Sequence, residues 1–198
     1  MKNELASKPL SAQNRQTAFM TTRTIVLVGL LSAALTVGKL ALSFVPNVEV
    51  VTLLILVYAS VFGRKIAIFA TMIFCTIEVL LYGFSSWVVL YFIHWNMLAL
   101  IASIILKRYR VWLAIVYACV MTFFFGILDT AINTIFAAAG GVPSYQLLNL
   151  FVAYYIRGGW FYLVHIVSNA VVVGSLYFPL VLTIKKLYRN DENKRNLE

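Results

Sequence analysis

Long apolar stretches separated by short polar turns occupy most of the chain. Their lengths predict transmembrane helices at residues 24–44, 48–62, 66–82, 87–106, 111–137 and 160–184. The second stretch is short for a bilayer, so we expect it to be tilted or extended by the turn before it. The pattern therefore predicts six membrane spans joined by short connections.

Residues 138–159 interrupt this pattern. Gly140-Gly141-Val142-Pro143-Ser144 is a turn signal. Residues 145–156 predict an amphipathic segment that lies at the interface or dips into the bundle. We expect the Arg157-Gly158-Gly159 sequence to end that segment before the sixth span begins.

Composition excludes a soluble domain, because 62% of the 198 residues are hydrophobic and only 12% are charged. The predicted fold is an all-α membrane protein, a compact bundle of six transmembrane helices. Residues 1–22 are expected to form a cytoplasmic tail, residues 23–186 the bundle, and residues 187–198 a second cytoplasmic tail. No internal repeat suggests the two-halved architecture of secondary transporters.

The net charge of +9 comes from short basic clusters between the apolar runs. This distribution is not that of a nucleic-acid-binding surface, and no nucleic acid partner is expected. If the N-terminus is cytoplasmic, fourteen of the sixteen Lys and Arg residues fall on the cytoplasmic side. The sequence thus predicts a multi-pass membrane protein, in contact with lipid, with both termini in the cytoplasm.

Motifs for chemistry are lacking. No Walker, HExxH or GxSxG motif occurs, so the chain is not expected to hydrolyse nucleotide or to be an enzyme. Cys75 and Cys119 lie in predicted spans without CxxC spacing and are expected to be free thiols. No metal or cofactor is predicted. An intramembrane enzyme using Asp129 with His94 or His165 is the remote alternative.

Five charged residues lie at membrane depth or at the outer mouth, namely Lys39, Glu49, Glu78, Asp129 and Arg157. Each is costly if it faces lipid, so each should face the interior, a partner or water. One interpretation is mutual neutralisation, of Lys39 by Glu49 or Glu78 and of Asp129 by Arg157. The other is a polar cavity open to the exterior, favoured because all five lie in the outer half.

Aromatic and hydrogen-bonding residues crowd the same level. Interfacial belts of Trp and Tyr are common, but here the inner interface has few, so part of the excess is expected to wall a ligand pocket. The candidate substrate-binding residues are Lys39, Glu49, Glu78, Tyr82, Trp87, Tyr91, His94, Trp95, Asn96, Asp129, Asn133, Tyr154, Arg157, Trp160, His165 and Asn169.

Small residues mark one face of the first span. They are Gly29, Ser32, Ala33, Ala34 and Gly38, in small-xxx-small patterns that allow a second helix to approach closely. They serve either packing within the bundle or docking of another membrane protein.

Four short motifs accompany this arrangement: PNVEVVT at 46–52, VFGRK at 61–65, HxxSN at 165–169 and LYFPL at 176–180. Together with six spans and a small-residue first helix, they resemble the substrate-binding S components of energy-coupling factor (ECF) vitamin importers. The resemblance covers about residues 24–184. Gly29 and Ala33 stand where that family often has two alanines.

The resemblance implies a high-affinity vitamin-binding subunit of an ABC transporter complex in a bacterial cell membrane. Such a subunit binds its vitamin at the extracellular side, docks through its first helix on a transmembrane coupling subunit driven by two cytoplasmic ATPases, and topples to deliver the vitamin. The chain most resembles the cobalamin-specific branch, so cobalamin or a related corrinoid is the expected substrate. Pantothenate, folate, riboflavin and a queuosine precursor remain alternatives.

Overall fold

A computed structural model describes residues 20–46 and 48–195 of the chain, the side chains of 189–195 excepted. The described residues form six α-helices: α1 (Thr22–Ala41), α2 (Val51–Val61), α3 (Gly63–Tyr82), α4 (Ser86–Ile105), α5 (Val111–Ala139) and α6 (Leu147–Arg195). A short 3-10 helix (Ser144–Gln146) precedes α6. No strand occurs in either described range, which confirms the prediction of an all-α fold.

Five of the six helices are long and apolar enough to cross a membrane. The exception is α2, whose 11 residues are fewer than the 15 predicted for the second span. The helices have the character of a multi-pass membrane protein, in which hydrogen bonds within each helix satisfy the backbone in lipid.

Contacts at the helix termini define two ends of the bundle. At one end, Arg23 lies 5.0 Å from the ring centroid of Tyr188, and Lys185 lies 4.6 Å from that of Tyr109. At the other end, Lys39 of α1 contacts Glu78 near the end of α3. We call the first the basic end and the second the cavity end. Successive helices alternate in direction, so α1 begins and α6 finishes at the basic end.

Helix α2 lies inside the bundle, where it contacts α1, α3, α4 and α6. Eight of its eleven residues are buried: Val51, Thr52, Leu53, Ile55, Leu56, Val57, Tyr58 and Ala59. The hydroxyls of Ser60 and Tyr177 lie 2.7 Å apart and join α2 to α6. These four helices surround α2, and the long helices expose apolar side chains outward.

Turns lie where glycines predict them. Gly63, the first residue of α3, has a φ of +79°, a conformation that costs other residues more. Gly141, with a φ of +97°, lies in the predicted turn after α5. Arg64 and Lys65 form the first turn of α3, whereas the predicted third span began after them.

The predicted break at Arg157-Gly158-Gly159 is wrong. Helix α6 runs unbroken from Leu147 through both glycines and through Pro179 to Arg195. A glycine costs a helix only about 1 kcal/mol, which packing against α5 can offset. The segment predicted to be a separate amphipathic element is therefore the first part of α6, and nine residues of the predicted C-terminal tail are helical. Residues 1–19 of the predicted N-terminal tail, and Asn47, lie outside the described residues.

Candidate functional site

The larger of two cavities at the cavity end lies between α5 and α6. Its volume is about 510 Å³, within the range of small-molecule sites. It is lined by Phe125, Asp129, Thr130, Asn133, Tyr154, Arg157, Gly158, Phe161, Tyr162 and His165. We call it the α5–α6 cavity.

Asp129 is fixed in this cavity by hydrogen bonds. Tyr162 donates its hydroxyl to Asp129 Oδ2 at 2.9 Å, and the amide of Asn133 donates to Oδ1 at 3.0 Å. Ser86 of α4 in turn donates to the amide oxygen of Asn133 at 2.8 Å. Because three helices hold the carboxylate through neutral donors, its negative charge is left for a ligand to complement.

Two glycines make the space that Tyr162 occupies. A Cβ built on Gly126 would lie 2.8 Å from the Tyr162 ring, and one built on Gly158 would lie 2.6 Å from its Cζ and Oη. Any larger residue at either position would collide with the ring. The slot between the two helix backbones therefore directs the phenol hydroxyl toward Asp129.

Arg157 is an exposed cation at the rim of the same cavity. Its guanidinium lies 5.3 Å from the ring centroid of Tyr154, close enough for a cation–π interaction. The suggested pairing of Asp129 with Arg157 does not form, because neither ion pair between described side chains includes them. Tyr162 and Asn133 take the role at Asp129 that Arg157 was expected to have. The cavity thus presents a cation and an anion that do not neutralise each other directly.

The second cavity, of about 260 Å³, lies beneath the connection between α1 and α2. It is lined by Lys39, Leu42, Ser43, Val45, Pro46, Val48, Glu49, Val51, Phe74, Tyr91, Trp95, Phe125 and His165. We call it the α1–α2 cavity. Most of its lining is apolar, and its charged side chains are satisfied within the protein, as follows.

Glu49 ties the α1–α2 connection to α6. Its Oε2 accepts the Thr52 backbone N–H at 2.8 Å, which caps the start of α2, and its Oε1 accepts from His165 Nε2 at 3.3 Å. Burial alone raises the pKa of Glu49, but the interactions with His165 and Thr52 outweigh it, so the pKa lies below its ordinary value. Glu49 is therefore a carboxylate that holds two elements together.

Lys39 is enclosed by three aromatic rings and one carboxylate. Its ammonium pairs with Glu78, which is fully buried, and lies 4.9 Å, 5.0 Å and 4.9 Å from the ring centroids of Tyr82, Trp87 and Tyr91 respectively. Of the two partners that the sequence allowed for Lys39, the structure selects Glu78. This aromatic cage links α1, α3 and α4. The lysine charge is therefore already paired within the protein.

His165 and Phe125 belong to both cavities. Their rings meet edge to face with centroids 5.3 Å apart. Each residue lines the α5–α6 cavity on one side and the α1–α2 cavity on the other. These two side chains are the wall that the cavities share.

Seven predicted substrate-binding residues line neither cavity. Three of them, Glu78, Tyr82 and Trp87, surround the Lys39 ammonium. Trp160 is 71% exposed on the outer face of α6. His94 lines an apolar groove between α4 and α5, and the Asn96 amide donates to the Phe92 carbonyl. Asn169 is buried deeper, donating to Thr122 at 2.9 Å and to Thr52 at 3.4 Å. Trp160 thus faces outward, the buried His94 ring packs against Phe125 of α5, and Asn96 bonds to its own helix. Asn169 joins three helices.

The five small residues of α1 do not share one face. Gly29, Ala33 and Ala34 are exposed. Ser32 is buried and donates to the carbonyls of Val28 and Ala70 on α1 and α3. A Cβ on Gly38 would meet Val50 at 2.8 Å. Only the first three can offer a surface to another protein in this conformation, whereas Ser32 and Gly38 pack inside the bundle.

The list of candidate residues from the sequence omits five residues that line the α5–α6 cavity, namely Phe125, Thr130, Gly158, Phe161 and Tyr162. The one available signal was the spacing of Gly158 and Tyr162, because residues four apart share a helix face and a glycine there makes room for a ring. A phenylalanine inside an apolar run, such as Phe125, carries no such signal.

The described residues include no group of three or more His, Cys, Asp or Glu side chains that could hold a metal ion. The groups of the α5–α6 cavity that could bind a ligand are the Arg157 cation, the Asp129 carboxylate, hydroxyl groups and aromatic rings. Comparisons of the chain with protein-family models, with curated protein sequences and with solved structures found no match.

Proposed function

We propose that the chain is the solute-binding membrane subunit of an ECF-type vitamin importer in a bacterial cell membrane. The observation that carries this proposal is the pair of adjoining cavities at one end of a helical bundle, with charged and aromatic linings from five helices. A bundle that served only as a scaffold would gain little from such polar groups in lipid.

Orientation follows from the distribution of charge. The basic end carries the clusters at 64–65, 107–110 and 185–186, which supports placing it and both chain termini in the cytoplasm. The cavities then face the exterior, where a solute would enter.

As substrate we propose a vitamin-sized solute with an acidic group. Lys39 is occupied by Glu78, which leaves Arg157 as the cation that could pair with a carboxylate in a cavity. Phe125 and Phe161 could contact an apolar or planar part, and Asp129 could accept a hydrogen bond. Pantothenate and folate meet these requirements. Cobalamin requires the wall of His165 and Phe125 to open, because a corrinoid exceeds either cavity.

Calorimetry on the purified chain without ATP tests the proposal. Cobalamin, pantothenate, folate, riboflavin and a queuosine precursor are titrated separately, and one should bind with a 1:1 stoichiometry. For an acidic ligand, Arg157→Gln should weaken binding by at least about tenfold, since a charge-assisted hydrogen bond contributes about 1.5–3 kcal/mol. The matched change Arg108→Gln at the basic end should have no effect. No heat with any compound would contradict the proposal.

Partner docking forms the second part of the proposal. The exposed small residues of α1 are suited to contact a transmembrane coupling subunit, which two cytoplasmic ATPases would drive. Gly29→Trp with Ala33→Trp should abolish complex formation and transport but preserve solute affinity. Val171→Trp, on the exposed face of α6, is the control. If the double variant loses affinity as well, binding and docking are not separate.

A further inference from the structure

Asp129 differs from Glu49 and Glu78, the other carboxylates described at the cavity end. Glu78 pairs with the Lys39 ammonium, and Glu49 contacts His165, which can carry a positive charge. Among the side chains that the structure describes, no Lys, Arg or His forms an ion pair with Asp129. Ionisable residues at membrane depth almost always pair with another charge or face a water-filled cavity. A positive partner for Asp129 can therefore enter through the α5–α6 cavity, which this residue lines.

Each oxygen of the Asp129 carboxylate keeps room for a further hydrogen bond. A carboxylate has about four acceptor sites, two on each oxygen. Within the described part of the chain, Oδ2 accepts one hydrogen bond from Tyr162, and Oδ1 accepts one from the side chain of Asn133. About one site therefore remains on each oxygen of a partly buried group that lines the cavity. Two parallel N–H donors match such a pair of sites, as in the bidentate contact of arginine with a carboxylate.

The two protein donors to Asp129 are held in place, so a ligand adds to them and does not replace them. Ser86 donates to the amide oxygen of Asn133, which directs the NH2 group of that amide toward Asp129. The slot between the helix backbones confines the Tyr162 ring. Neither donor is charged, so the negative charge of the carboxylate is available to a cationic group of the ligand.

Arg157 provides an opposite contact in the same cavity. Its guanidinium lies over the Tyr154 ring at the exposed rim, and no carboxylate of the described residues pairs with it. Arg157 belongs to α6, whereas Asp129 belongs to α5. A single ligand that contacts both therefore needs an acidic group for one helix and a donor group for the other.

We propose that the solute of the α5–α6 cavity carries two adjacent N–H donors at one end and an acidic group at the other. The donor pair, as in a guanidinium, an amidinium or an aminopteridine ring, binds both oxygens of Asp129, and the acidic group binds Arg157. This inference rests on the proposed function for the use of the cavity, and it narrows the substrate class. Folate has both groups, whereas pantothenate has a carboxylate but no such donor pair.

A ¹³C NMR titration of the full chain in detergent tests the proposal. The chain contains only two aspartates, Asp129 and Asp191, so labelling aspartate at its side-chain carboxyl carbon gives two signals, which Asp191→Asn assigns. The probe γ-guanidinobutyrate carries the donor pair and the acid. It should shift the Asp129 signal to saturation and leave the Asp191 signal unchanged.

Two related probes separate the donor pair from the charges. Butyrate has only the acid, and γ-aminobutyrate replaces the planar donor pair by an ammonium. Both should bind at least about tenfold more weakly than γ-guanidinobutyrate, because each loses a hydrogen bond to a charged group. Arg157→Gln should weaken γ-guanidinobutyrate at least about tenfold for the same reason. The matched change Arg108→Gln at the basic end should leave its affinity unchanged.

An Asp129 signal that does not respond to γ-guanidinobutyrate would overturn the proposal. Equal binding of γ-aminobutyrate would exclude the donor pair, and equal binding of butyrate would exclude any contact with Asp129. Failure of the proposed function gives a different result, in which no vitamin produces heat in calorimetry although γ-guanidinobutyrate shifts the Asp129 signal. If pantothenate binds more tightly than folate, the vitamin-binding function stands and the donor pair is wrong.

Discussion

Replacing Gly158 by alanine should displace the Tyr162 ring. The new Cβ would lie 2.6 Å from Cζ and Oη of Tyr162, closer than real side chains approach. The ring cannot retreat toward α5, because it already lies against Gly126. It must leave the slot, and its hydroxyl must leave Asp129, which it now reaches at 2.9 Å.

The expected cost follows from these contacts. A hydrogen bond to a charged group contributes about 1.5–3 kcal/mol, and an overpacked site costs about 1–3 kcal/mol. Alanine returns about 1 kcal/mol through its better helix propensity. The free energy of unfolding of Gly158→Ala should therefore fall by about 3 kcal/mol. Gly159→Ala, where a Cβ meets nothing within 4 Å, should instead gain up to about 1 kcal/mol.

Unfolding of the purified chain by sodium dodecyl sulfate, followed by far-UV circular dichroism, measures both variants. Tyr162→Phe isolates the hydrogen bond from the collision. In a Tyr162→Ala background the collision is absent, so Gly158→Ala should become stabilising, like Gly159→Ala. Equal stabilities of the two alanine variants in the wild-type background would refute the slot.

Three further predictions concern stability in the same assay. Lys39→Met should lower the free energy of unfolding by about 3–5 kcal/mol, because it leaves Glu78 buried without a counter-charge. Adding Glu78→Gln should recover most of that loss. Strictly additive effects of the two changes would argue against the pairing. The pKa of Glu49 is lowered from its ordinary value of 4.5, so its contribution to stability is complete above pH 4.5 and is lost as pH falls through the folded-state pKa. The wild type should therefore lose more stability on acidification than Glu49→Gln. Parallel pH profiles of the two proteins would contradict this. Tyr177→Phe should lower the free energy of unfolding by about 0.6 kcal/mol, because it removes the hydrogen bond to Ser60. An unchanged free energy of unfolding would show that this hydrogen bond does not stabilise the fold.

The sequence is sufficient to predict the helical elements because apolar length and turn residues are local properties. Gly140 to Ser144 and Gly63 lie at turns, as their residue types predict. The prediction failed at Gly158, where a helix-weakening residue continues the helix because the Tyr162 ring fills the space beside it. That packing depends on α5, which no local pattern describes.

The sequence predicts the level in the membrane at which the charged residues of the candidate site lie, but not which of them form ion pairs. Charged residues in an apolar chain must converge, so Lys39, Glu49, Asp129 and Arg157 were expected near one another and do line the two cavities. Which charges pair depends on helix rotation. The direction of each side chain separates Lys39, caged with Glu78, from Arg157, which stays at the rim.

The shortness and burial of α2 have a consequence for how the chain enters the membrane. At 1.5 Å per residue its 11 residues extend about 16 Å, roughly half the hydrocarbon thickness. A helix of that length gains little from lipid by itself, and its partners on α4 and α6 are synthesised after it. We therefore expect α2 to take its final position late, once the ribosome has completed the helices that enclose it. The order of assembly in this bundle would then differ from the order of its sequence.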